Sequence, residues 1–143
     1  MRRKLQTART FSLGDWLMLA QSWCLLLAFD LGLRALPFPR VQAFAAPGVP
    51  RARRALMPPD IQRVRRFVDI AARHHVHPMT CLRRALVLQR MLRARGADAQ
   101  LRIGVRRDGG ALEAHAWVEC EDQVIGQPEI VAERYAQLAA VEA

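Results

Sequence analysis

With one tyrosine, three cysteines and a single lysine in 143 residues, the chain is narrowed first by what it is short of. Three cysteines cannot staple a small secreted scaffold, and their odd number leaves at least one thiol free. A free thiol persists in a reducing compartment, so a cytoplasmic protein is expected. Nine aromatics are few for a surface that stacks bases, and the arginines fall at helix-surface spacings. Nucleic acid is therefore not an expected partner.

Phosphate and metal motifs are also missing. Gly96 and Gly104 stand alone, and Asp108-Gly109-Gly110 reads as a hairpin turn rather than a phosphate cradle. His74, His75 and His77 approach Cys81 in sequence, but Pro78 interrupts them and no second ligand pair lies elsewhere. Zinc is not expected, nor any cofactor. The longest charge-free run, Trp16 to Phe29, has 14 residues, short of the ~20 that span a bilayer. The basic start and Ala43-Phe44-Ala45 imitate a signal peptide, yet the small-residue site lies too far downstream of the run. No membrane span is expected.

What is present is a globular composition, 52% hydrophobic and 24% charged, with an uneven charge. Residues 1–50 carry a net +4, residues 51–107 carry +12, and residues 108–143 carry −7. A field of this shape suits an acidic or extended peptide.

The patterning predicts a helix over about 13–36, with Ser12 as N-cap and Asp15 three residues on. Its Leu13, Trp16, Leu17, Leu27 and Leu31 are expected to face a core or a partner. Pro37-Phe38-Pro39 stops it, and the prolines that follow predict a linker or irregular arm up to Pro59. A second helix follows Pro59-Asp60, with Ile61, Val64, Phe67, Val68 and Ala71 on one side. A third spans about 81–95, between Thr80 as N-cap and Gly96, burying Leu82, Ala85, Leu86, Leu88, Met91 and Leu92. The period then changes to two. Strands are expected at 101–106, 113–120 and Val124-Ile125, and a closing helix after Pro128 with Ile130, Val131, Leu138 and Val141 as contacts. Helices followed by an antiparallel meander make an α+β fold. The expected division is a helical arm at 1–40, a Pro-rich linker at 41–59 and a domain at 60–143.

Two residues carry chemistry. Cys81 stands at a helix start, where free backbone N–H groups and the helix dipole favour a thiolate, and Arg83 and Arg84 add positive potential. The plain alternative is a buried structural thiol. His115 lies mid-strand, on the same face as Trp117. A thiol on a helix start packed against an antiparallel sheet that carries a histidine is the papain and transglutaminase arrangement.

The local blocks carry the likeness further. Thr80-Cys81-Leu82-Arg83-Arg84-Ala85-Leu86, then Leu101-Arg102-Ile103-Gly104-Val105, then Ala114-His115-Ala116-Trp117-Val118-Glu119 resemble the leader peptidases of lasso-peptide biosynthesis. The resemblance covers roughly residues 60–130, and the N-terminal helix with Leu36-Pro37-Phe38 is also similar. It implies a transglutaminase-like cysteine protease in which Cys81 is the nucleophile and His115 the general base and acid. It also implies three partners: a ribosomally made (RiPP) precursor peptide, a small leader-recognition protein, and an ATP-dependent cyclase that closes the macrolactam.

The family places an aspartate after the histidine, whereas Gln127 stands twelve residues past His115. Gln127 is the favoured third member, since its amide oxygen can accept the imidazole N–H. Asp122 is the alternative, Glu129 a further one, and Glu119 a weaker one. The backbone N–H of Cys81 is one expected oxyanion donor. Two other readings stay open: an acyl transferase of the same fold that uses an amine instead of water, and a non-catalytic module that only binds a peptide or partner.

Overall fold

The computed structural model describes residues 10–48, 56–126 and 134–137. Helix α1 (Leu13–Ala35) starts with a capping box, in which Ser12 Oγ accepts from the Asp15 N–H and the Asp15 carboxylate accepts from the Ser12 N–H. The chain then turns extended at Leu36, before Pro37.

The stretch expected to be irregular instead opens with a second helix, α2 (Phe38–Ala45). Pro37 is its N-cap residue and Pro39 lies in its first turn, so the prolines that end α1 also begin α2. A proline there forfeits only an N–H that has no helical partner anyway. Residues 49–55 of the expected linker lie outside the described residues.

Helix α3 (Pro58–Arg73) likewise begins on prolines, and buries Val64, Phe67, Val68, Ala71 and Ala72. Helix α4 (Cys81–Ala94) lies at the centre of the fold, in contact with α1, α2 and α3 as well as with strands β1 (Ala99–Asp108) and β2 (Ala111–Cys120). Leu86, Val87, Met91 and Leu92 are fully enclosed, each contributing roughly 2 kcal/mol through burial. Leu26 and Phe29 of α1, and Val41 and Ala45 of α2, enter this same core.

The sheet is antiparallel with order β3-β2-β1-β4, where β3 is Gln123–Ile125 and β4 is Ala136–Gln137. Along β2, Ala116, Val118 and Cys120 join the core while His115, Trp117 and Glu119 take the alternate face. Of the closing helix expected after Pro128, Arg134 is helical, and past it Ala136–Gln137 pairs with Gly104 and Val105 of β1. The other expected contacts of that helix, Ile130, Val131, Leu138 and Val141, lie outside the described residues.

Of the α1 face expected to meet a core or a partner, Leu13, Trp16, Leu17 and Leu31 are exposed and so do not join the core, whereas Ser22, Leu26, Phe29 and Asp30 are buried. The helix is apolar nearly all round, so periodicity could not choose its inner side. What chose it is Asp30. Its carboxylate is ion-paired with Arg83 at 2.8 Å and with Arg34 at 3.2 Å, and that requires Asp30 to face α4. By length and composition, α1, with 23 residues and a mean hydropathy of 1.5, is long and apolar enough to cross a membrane. Nevertheless one side of it belongs to the core.

Candidate active site

Cys81 is the first residue of α4, and Thr80 is its N-cap residue with extended backbone. The Thr80 side chain makes no capping hydrogen bond, so it occupies none of the first-turn N–H groups beside the sulfur. The helix dipole favours negative charge at that position. The thiol is half-buried and unbridged, whereas Cys24 is exposed and Cys120 buried. Burial, with the nearby Glu121 and Asp98 carboxylates, pushes the Cys120 thiol up.

Cys81 and His115 line one cavity of about 580 Å³. β3 pairs only with Val118, Glu119 and Cys120, so among the described residues the edge of β2 beside His115 is left open on that side. The cavity wraps this edge: Ala116 and Val118 of one sheet face line it together with His115 and Trp117 of the other. Helix start and strand histidine thus face the same cavity beside the open edge.

The His115 ring lies on an aromatic shelf. It stacks at 22° to Trp117 with centroids 6.2 Å apart, and tilts against Tyr135 at 5.3 Å. Trp117 Nε1 donates to Glu119 at 3.0 Å, and Arg102 donates to the same carboxylate at 2.9 Å. Glu119 is therefore engaged as a brace for the tryptophan.

Sequence reasoning missed Tyr135. It is the chain's only tyrosine, it is buried, and it abuts His115, Trp117 and the Arg106 guanidinium. Its hydroxyl donates to Glu113, which Arg106 binds at 2.6 Å and holds below the usual carboxylate range. Burial in turn pushes the Tyr135 hydroxyl up. Gly104 makes room for this packing. A β-carbon there would stand 2.6 Å from Tyr135 Cβ and 2.9 Å from the Trp117 ring. The lone tyrosine and the lone strand glycine were the available signals, but their meeting depends on a two-residue strand.

The third members are placed unevenly. Gln127 and Glu129 lie outside the described residues. Asp122 is exposed in the β2–β3 turn with φ +61°, and the five strand steps from His115 to Cys120 alone span roughly 17 Å. Asp122 is thus at the far end of β2 from His115. Glu113, by contrast, shares the His115 face and is close enough to feel its charge. His74 caps the end of α3 and His75 stacks on Trp23 at 4.6 Å. Among the described residues, no group of three metal-ligating side chains gathers.

The comparisons fit this arrangement. No curated protein and no solved structure matches the chain. A family model described as the transglutaminase-like superfamily matches residues 23–140, which takes in α1 from Trp23 onward, all of α4 and the whole sheet. By that match, the chain belongs to the transglutaminase-like superfamily.

Proposed function

We propose that the protein is a cytoplasmic cysteine peptidase that removes the leader from a ribosomally made lasso-peptide precursor. The observation that carries the reading is the shared cavity of Cys81, at the uncapped start of α4, and His115 on β2. The superfamily includes cysteine peptidases and acyltransferases, and the lasso-specific part rests on the resemblance of the Cys81 and His115 blocks.

In this reading His115 takes the Cys81 proton as the sulfur attacks the scissile carbonyl. The oxyanion is held by the Cys81 N–H and the open first turn of α4. His115 then protonates the leaving amine, the C–N bond breaks, and water hydrolyses the thioester to release acid and thiol. The Trp117–Tyr135 shelf fixes the ring plane, and Gln127 is the proposed acceptor for the imidazole N–H. A leader-recognition protein delivers the precursor, and an ATP-dependent cyclase closes the ring afterwards.

The test is precursor cleavage followed by mass spectrometry, with the leader-recognition protein present. Cys81→Ala and His115→Ala each abolish cleavage, and the double variant is no worse, because residues acting as a unit are non-additive. Gln127→Ala retains activity, and Gln127→Asp is tolerated or faster. Cleavage at the wild-type rate by Cys81→Ala would end the reading. A product carrying an added amine in place of the new carboxylate would make the enzyme an acyl transferase.

A further inference from the structure

Beside Cys81 and His115, the cavity is walled by cations. Arg65, Arg73 and Arg84 line it, and among the described residues Asp69 is the one carboxylate that does. Arg65, Asp69 and Arg73 recur every four residues on α3, forming a ridge of about 12 Å along the cleft. Arg84 stands one turn beyond Cys81 on α4.

Asp69 does not saturate these guanidiniums. Its carboxylate is 3.5 Å from Arg65 and 4.0 Å from Arg84, long and half-exposed contacts that hold little energy. Among the described residues, Arg73 donates only to the Asp69 backbone carbonyl, at 3.3 Å. Arg84 Nε is buried without a hydrogen-bond partner among the described residues, a donor that costs free energy until something accepts from it. Arg65 lies against Gly126, the residue after β3, where a β-carbon would meet its Nε. Three planar forks, one of them seated against glycine, outnumber the acid they share a wall with. Such forks bind carboxylates in pairs of parallel hydrogen bonds.

We infer that this wall, made by Arg65, Arg73 and Arg84, selects a substrate segment with an aspartate or glutamate close to the scissile bond. The inference rests on the peptidase reading for the direction of the substrate, and names its chemistry. The +12 carried by residues 51–107 draws such a segment in from solution, and the wall fixes its register against the sulfur.

The experiment uses two sets of short fluorescent peptides of mixed sequence, one with a fixed central glutamate and one with glutamine. Binding to Cys81→Ala is read by anisotropy, and cleavage by the wild type by mass spectrometry. The glutamate set binds about tenfold more tightly, the order of one charge-assisted contact in a half-exposed cleft, and loses that advantage as salt rises. In Arg65→Gln/Arg84→Gln the two sets bind alike, while Arg84→Lys keeps part of the preference. Equal binding of both sets by the parent protein overturns the inference without needing any arginine variant, and so does a preference untouched by the double substitution. Preferential binding of the glutamate set without cleavage of any peptide or precursor instead supports the wall and overturns the peptidase reading.

Discussion

Asp30 of α1 and Arg83 of α4 meet at 2.8 Å, and the Asp30 side chain is only 2% exposed. The sequence suggests that Arg83 lends positive potential to the thiol two residues before it. In the fold that charge is matched by a carboxylate from a helix fifty residues away. Arg83 therefore anchors the first turn of α4, and the free cationic character next to Cys81 belongs to Arg84.

Breaking this pair leaves a charge enclosed without its partner. Asp30→Ala is expected to cost about 3 kcal/mol, whereas Asp30→Leu with Arg83→Leu recovers most of that loss. Urea unfolding measures both. Because the pair holds the turn that carries the sulfur, Asp30→Ala also changes the labelling rate of Cys81. A loss below about 0.5 kcal/mol, the ordinary size of a surface change, would show that α1 is not held through Asp30.

The three thiols are expected to alkylate in a fixed order. Cys81 reacts first with iodoacetamide near neutral pH, since it lines the cavity at an uncapped helix start. Exposed Cys24 follows, and buried Cys120, whose thiol is pushed up, reacts only as the protein unfolds. Mass mapping that finds Cys24 labelled ahead of Cys81 would remove the basis for the nucleophile.

The β2–β3 turn separates a structural role from a catalytic one. Glu121 and Asp122 both adopt left-handed backbone, at φ +52° and +61°. Replacing them by Asn and Gly should raise stability by about 1 kcal/mol, since that pair suits a two-residue hairpin turn. Cleavage activity is expected to be unchanged. A dead Asp122→Gly enzyme that is still folded would return the third role to Asp122.

Acid should loosen the first turn of α1. The Arg63 guanidinium, 2.6 Å from Asp15, and the Ser12 N–H hold the Asp15 carboxyl at about 2, down from 3.8. A depressed carboxyl stabilises the fold above its unfolded value and ceases to do so as pH falls through its folded one. The stability difference between wild type and Asp15→Asn is therefore full above about pH 4 and closes as pH falls to about 2. Urea midpoints across that window check this, and a gap independent of pH would contradict it.

Much of this was legible in the residues. The helix of Val64 to Ala72 has one buried face, and in Ala85 to Leu92 and the strands around Ile103 and Ala116 the spacing of the apolar residues still separates period 3.6 from period two. Cys81 and His115 stand out in the sequence because a thiol at a helix start precedes a strand that carries a histidine. Elsewhere the pattern was ambiguous for physical reasons. α1 is apolar on every side, and only a tertiary ion pair selects its inner face. α2 hides behind prolines that read as breakers and act as helix starts. Tyr135 reaches His115 through a pairing of two residues, too short to leave a periodic trace.

α4 is enclosed by helices on one side and sheet on the other, and its Leu86, Val87, Met91 and Leu92 are fully buried. Beyond its open first turn, its amides should therefore exchange with deuterium only when the whole molecule opens. The Cys81 sulfur thus sits at the tip of the slowest-exchanging element, where Asp30 anchors the first turn through Arg83. On the proposed function, the nucleophile is therefore rigid, and any adaptation would come from the peptide or from the sheet's open edge.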